Sequence, residues 1–125
     1  IEELLRFDGP SATQVRIVTQ ARGLHGRALE PGQRVFMILN AANRDPRAYP
    51  DPDRLDLARD GVPHLAFGFG AHLCLGFPLA RMEGAVALSA LMREFTHIEP
   101  AGEPTWINSI VFRGMSAMPV AVRRA

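Results

Sequence analysis

Lysine is absent from this chain: all 14 of its basic side chains are arginine, which reads as the mark of a GC-biased genome. Cysteine is almost absent too. The single thiol, Cys74, excludes an internal disulfide framework and any zinc cluster built on several thiolates, and it fits a reducing compartment. No apolar run approaches the roughly 18–20 residues that span a bilayer, so the sequence holds no membrane segment. Excess charge is lacking as well. A formal net charge of +1 argues against nucleic acid as a partner.

What remains is 125 residues with 47% hydrophobic and 22% charged side chains, the composition of one globular domain. The chain opens on Ile1-Glu2-Glu3-Leu4-Leu5-Arg6-Phe7, whose apolar side chains at 1, 4, 5 and 7 recur at helical spacing. No capping residue precedes them, so the chain is expected to be a piece of a longer one. Asp8-Gly9-Pro10-Ser11 ends that helix. A β-branched stretch predicts a strand over Thr13–Ala21, followed by a hairpin-like connection over Arg22–Gln33 with a type II turn at Pro31-Gly32. Arg34–Asn40 reads as a strand passing into a short helix that ends near Asp45. From Pro46 to Pro63, proline and aspartate exclude long regular elements, and Tyr49, Leu55 and Leu57 are expected to pack this segment down. Phe77–Phe95 is the strongest helix, with Pro78 in its first turn and Leu79, Met82, Val86 and Ala90 along one stripe. The tail, Thr96–Ala125, predicts one or two β-hairpins. Neither His25 nor His97 is assigned a role.

The chemistry concentrates in Phe67 to Gly76. Glycines at 68, 70 and 76 bracket the only cysteine, and a helix starts just beyond. Glycine lets a flat object approach the main chain, and a helix entrance favours thiolate. Cys74 therefore admits three readings: a buried structural residue, a nucleophile activated by His72 or His64, or a single axial thiolate to haem iron.

Phe67-Gly68-Phe69-Gly70-Ala71-His72-Leu73-Cys74-Leu75-Gly76 resembles the cysteine-loop signature of the cytochrome P450 family, Phe-x-x-Gly-x-(His/Arg)-x-Cys-x-Gly, with every specified position filled. Other segments agree in the same order. Glu3-Leu4-Leu5-Arg6 looks like the Glu-x-x-Arg pair of the family's K helix, and Asn43-Arg44-Asp45-Pro46 with Asp51-Pro52-Asp53-Arg54-Leu55 looks like its meander. Leu55 stands where the family often has Phe. Leu79-Ala80-Arg81-Met82-Glu83 is similar to the start of the L helix, and Phe112–Val120 to the closing hairpin of bacterial members.

The resemblance implies an α+β fold, the C-terminal part of the P450 fold: K-helix remnant, β-hairpins, meander, cysteine loop, L helix and terminal hairpin, with residues 1–125 forming a single partial domain. It implies haem b (iron protoporphyrin IX) ligated by Cys74 and seated on Phe67, Gly68 and Gly76, with Arg16, His72 and His64 serving the propionates. A buried triad of Glu3, Arg6 and Arg54 would hold the fold. Ala12, Thr13, Ile110 and Val111 would edge the substrate pocket, and Arg81 would face a ferredoxin or flavoprotein reductase. The intact family inserts one oxygen atom from O2 into an organic substrate. A cytoplasmic location follows from the bacterial character of the resemblance. The distal half of the fold is not in this sequence, so the chain alone is expected not to hydroxylate. The alternatives are a non-catalytic haem-binding module and an inert fragment.

Overall fold

The computed structural model describes residues 1–60 and 63–125. Helix α1 (Glu2–Asp8) opens the chain, and Gly9 ends it in an extended conformation (φ −68°, ψ 145°) rather than a left-handed one. Pro10 accounts for this, because the residue before a proline is pushed out of the helical region. Strand β1 (Thr13–Ile17) pairs antiparallel with β4 (Arg34–Ile38), Val15 facing Phe36. The expected strand to Ala21 stops four residues early, where the partner strand gives way to the turn. Between them β2 (Arg22–Leu24) and β3 (Arg27–Leu29) form a hairpin closed by His25-Gly26, both at positive φ (48° and 77°). A two-residue turn of that hand matches the twist of the strands. The Pro31-Gly32 turn forms as expected, with Gly32 at φ 88° and the Gln33 N–H donating to Glu30 O at 3.2 Å.

Strand β4 runs directly into α2 (Leu39–Ala42), three residues shorter than the expected helix. The segment after it lacks helix and strand throughout its described residues; Gly61 and Val62, within the expected Pro46–Pro63 stretch, lie outside them. Tyr49 packs inward and donates its hydroxyl to Pro63 O at 2.9 Å. Leu55 and Leu57 do not: both are exposed. Apolar character alone does not bury a side chain in a segment whose backbone is satisfied elsewhere.

Helix α3 (Phe77–Glu94) carries Pro78 in its first turn, as expected. Strands β5 (Phe95–Pro100) and β8 (Val120–Arg124) pair as an outer antiparallel ribbon, and β6 (Thr105–Trp106) with β7 (Met115–Ala117) as an inner one. The expected apolar run from Trp106 to Phe112 is therefore mostly loop, and it folds back on the start of β1: Ala12 and Thr13 N–H both donate to Val111 O, and Arg113 N–H to Pro10 O.

The interior lies between α1, α2 and the irregular segment. Leu39, Tyr49 and Ala66 are buried there with Glu3, Arg6, Thr13 and Asn43. The inward face of α1 is thus Glu3 and Arg6, while Leu4 of the apolar pattern is exposed. A buried charge pair on one face is indistinguishable, by periodicity, from a solvated i,i+3 pair.

Candidate functional site

The loop that carries Cys74 is held by its own backbone. Asn43, fully buried, accepts the Leu65 N–H at Oδ1 (2.7 Å) and so fixes where the loop begins. The Gly68 N–H donates to Leu65 O, a single 3₁₀ turn covers Gly70–His72, and the Cys74 N–H returns to Phe67 O at 2.9 Å. Gly68 (φ 75°) and Gly70 (φ 69°) occupy the left-handed region. A Cβ at Gly68 would also stand 2.9 Å from Gln14 Nε2, so the end of that side chain would have to move aside. Gly76, in contrast, has an ordinary φ of −83°. The Phe77 N–H donates to Cys74 O at 3.3 Å, joining the loop to α3. Cys74 is a free, exposed cysteine, which removes the buried structural reading.

Beside this loop opens a cavity of about 500 Å³, lined by Arg16, Met37, Leu39, Gly68, Phe69 and His72 among others. Its walls are mainly apolar. Among the described residues the Arg16 guanidinium bonds only to Val15 O and Gln14 Oε1, so its charge meets no carboxylate. An exposed thiol, an apolar wall, an uncompensated guanidinium and an imidazole are the donor set that an iron porphyrin with two carboxylates requires. Arg16, His72 and the apolar wall fit that group, while Cys74, exposed on the same loop, is not among the residues that line this cavity.

His64 is not brought to Arg16 and His72. Its side chain is buried, its Nε2 lies 3.1 Å from Glu2 Oε2, and its Nδ1 accepts the Ala66 N–H at 3.2 Å. Burial lowers its pKa and outweighs the opposing pull of Glu2, which keeps the ring neutral. Arg81 is likewise engaged, donating to both oxygens of Glu2 at 2.7 and 2.6 Å.

The expected charge triad needs one correction. Arg6 donates from Nε and Nη2 to the two Glu3 oxygens at 2.6 and 2.8 Å. The second guanidinium on Glu3 belongs to Arg59, at 3.2 Å. Arg54 is exposed and contributes its backbone carbonyl, which accepts from Arg6 Nη2 and Arg59 Nη2. The Asp56 N–H adds a further bond to Glu3. These donors, Arg6 first, hold the Glu3 carboxyl down at about 2 against the opposing effect of burial. Arg59, the Asn43 side chain and Glu2 were given no role in the sequence. For Arg59 the only available signal was its position five residues beyond Arg54, in the same aspartate-rich stretch.

The segments expected at the substrate edge do meet. Ala12 lines a cleft of about 240 Å³ with Trp106, Ser109, Phe112 and Arg113. Thr13 is buried and Val111 half-buried, while Ile110 projects into solvent.

The sequence profile of the family described as Cytochrome P450 matches residues 1–116. This chain belongs to the cytochrome P450 family. It is 40% identical over 123 residues to the 6-deoxyerythronolide B hydroxylase of Saccharopolyspora erythraea, covering 96% of this chain and 30% of that protein. It is 40% identical over 129 residues to the cytochrome P450 monooxygenase PikC of Streptomyces venezuelae, covering 99% and 31%. The solved structure of the cytochrome P450 PksS of Bacillus subtilis superposes with a TM-score of 0.93 at 36% identity, over 97% of this chain and 32% of that one. The α+β fold is thus that of the corresponding P450 portion. The chain spans about a third of the length of these relatives, and the family implies a haem cofactor. Among the described residues no helix is long and apolar enough to cross a membrane.

Proposed function

We propose that this chain is the haem-ligating portion of a P450 monooxygenase, with the Cys74 thiolate as the axial ligand of haem b. The observation that carries the reading is the exposed thiol of Cys74 on a loop whose backbone is set by Gly68 and Gly70, next to an apolar cavity flanked by Arg16 and His72. Arg16 and His72 would donate to the two propionates. Phe67, Gly68 and Gly76 would form the floor on the sulfur side. When bound, haem would supply the activation of O2, and Cys74 would hold it as its thiolate ligand.

The remaining residues orient and exclude. Gln14 and the apolar side chains of β4 and α2 wall the cavity, while Ala12, Thr13, Ile110 and Val111 would edge the space for an organic substrate. Electrons would come from a ferredoxin or flavoprotein reductase, in a cytoplasmic setting. The 125 residues by themselves do not hydroxylate: about two thirds of the length of the relatives lies outside this chain, and the apolar stripe of α3 stands in solvent.

The test is haem loading of the chain, followed by the spectrum of the reduced carbon monoxide adduct. A thiolate-type Soret band that Cys74→Ser abolishes is the expected result. A band unchanged by Cys74→Ser, or no haem uptake at all, overturns the assignment. Efficient product formation by the loaded chain with substrate and reductase would overturn the claim of inactivity alone.

A further inference from the structure

One guanidinium lies against both aromatic rings whose backbones grip Cys74. The Cys74 N–H donates to Phe67 O, and Cys74 O accepts from the Phe77 N–H. The Phe67 and Phe77 rings stand 6.1 Å apart between centroids. Arg81, one turn into α3, places its guanidinium carbon 5.0 Å from the Phe67 centroid and 5.1 Å from that of Phe77. Both distances lie within the range of a cation–π attraction.

That guanidinium is fixed from its far side. Nε donates to Glu2 Oε1 at 2.7 Å and Nη2 to Glu2 Oε2 at 2.6 Å, two parallel bonds across 79 positions of sequence. A fork of this kind fixes direction as well as distance. The same carboxylate reaches His64, whose other ring nitrogen accepts the Ala66 N–H. One carboxylate on α1 therefore anchors the loop at its beginning, through His64, and at its end, through Arg81.

We propose that Glu2 and Arg81 are positioning residues for Cys74: the Glu2–Arg81 fork pins the Phe67 and Phe77 rings, and through their backbones sets the direction of the sulfur. The consequence for haem rests on the reading of Cys74 as the iron ligand; the consequence for the loop does not. The arrangement also explains why this end of α3 stays in place although none of its apolar stripe is buried. An arginine so committed is occupied in holding the loop rather than free to meet a docking partner.

Hydrogen exchange decides it, measured on the full chain at the Cys74 N–H and at the Leu39 N–H, which donates to Ala12 O in the interior and serves as the internal control. Arg81→Met keeps the apolar stem and removes the charge. Arg81→Met and Glu2→Gln should each speed exchange at Cys74 about tenfold, with Leu39 within about twofold. The double variant should be no faster than Arg81→Met by more than about twofold, because the two side chains act as a unit. Arg81→Lys, retaining the cation but losing the fork, should fall between. In the haem-loaded protein, Arg81→Met should shift the reduced carbon monoxide adduct from the thiolate-type band toward one lacking thiolate, with partial recovery in Arg81→Lys.

Unchanged exchange at Cys74 in Arg81→Met would overturn the proposal, as would equal acceleration at Cys74 and Leu39, which would mean general loosening. If the wild-type chain takes up no haem, the proposed function fails while the exchange result still decides the positioning role.

Discussion

Around α1 the interior of this chain is polar and closed; along α3 the surface is apolar and open. Glu3, Arg6 and Asn43 are buried, and Arg6 spends its donors on two carboxylate oxygens and on the carbonyls of Asn43, Pro52 and Arg54. Leu79, Met82, Val86 and Met92, on an 18-residue helix, remain exposed. The chain spans about a third of the length of its relatives, and this apolar side of α3 is a face with no covering partner among the described residues. On the α1 side a hydrogen-bond network centred on Arg6 and Glu3, rather than an apolar cluster, ties three distant segments together, although the buried Asn43 Nδ2 at its edge finds no partner among the described residues.

The sharpest way to break the comparison is to remove one charge from the closed side. Glu3→Gln should cost roughly 3–5 kcal/mol of unfolding free energy at neutral pH, since it leaves Arg6 buried without its counter-ion. Urea unfolding across pH adds a second reading. Glu3 has its folded pKa held at about 2 by Arg6, below the ordinary 4.5. Its contribution is complete above 4.5 and is lost as pH falls toward 2, on the order of 3 kcal/mol in all. His64 is also depressed below its ordinary 6.5, by burial, so a separate loss begins as pH drops under 6.5. The lower stage should shrink in Glu3→Gln to what Asp45 and Glu2, whose carboxyls are also held down by arginines, contribute in the same range, and the upper one should persist. A pH profile identical to wild type would mean that the network is not what holds the fold.

A finer cut separates two arginines. Arg59→Ala should lower stability by about 1–2 kcal/mol, because its guanidinium bonds Glu3 and the carbonyls of Pro50, Asp51 and Arg54. Arg54→Ala should change it by less than about 0.5 kcal/mol, since the alanine backbone still offers the carbonyl. Thermal unfolding of the two variants side by side checks this, and the reverse order would restore Arg54 to the triad.

That pair of arginines also marks where the sequence stopped being readable. The cysteine loop was legible because glycine at positive φ has few substitutes, and Gly68 and Gly70 do adopt it. The Pro31-Gly32 turn and the Pro78 helix start were legible for the same reason: each residue there restricts the backbone locally. Burial was not legible wherever the chain is aperiodic. Between Pro46 and Asp60 no repeat tells which arginine turns inward, and Leu57 looked more like core than Arg59 did. His64 illustrates the other limit. Its residue type suits a propionate, but Glu2, 62 positions away in sequence, decides where the ring points.

The smallest expected effect tests the open side. Met92 is 80% exposed on α3. If the helix surface contributes no burial to this chain, Met92→Gln removes nothing that folding had removed from water. Glutamine and methionine have similar length and helix propensity, so the unfolding free energy should stay within about 0.5 kcal/mol. The measurement is urea unfolding at two protein concentrations at least tenfold apart. A loss above about 1.5 kcal/mol, with a wild-type midpoint that rises with concentration, would mean that the Met92 face of α3 is buried against a second copy in solution. The contrast between a closed polar side and an open apolar one would then describe half of an interface rather than two regions of one molecule.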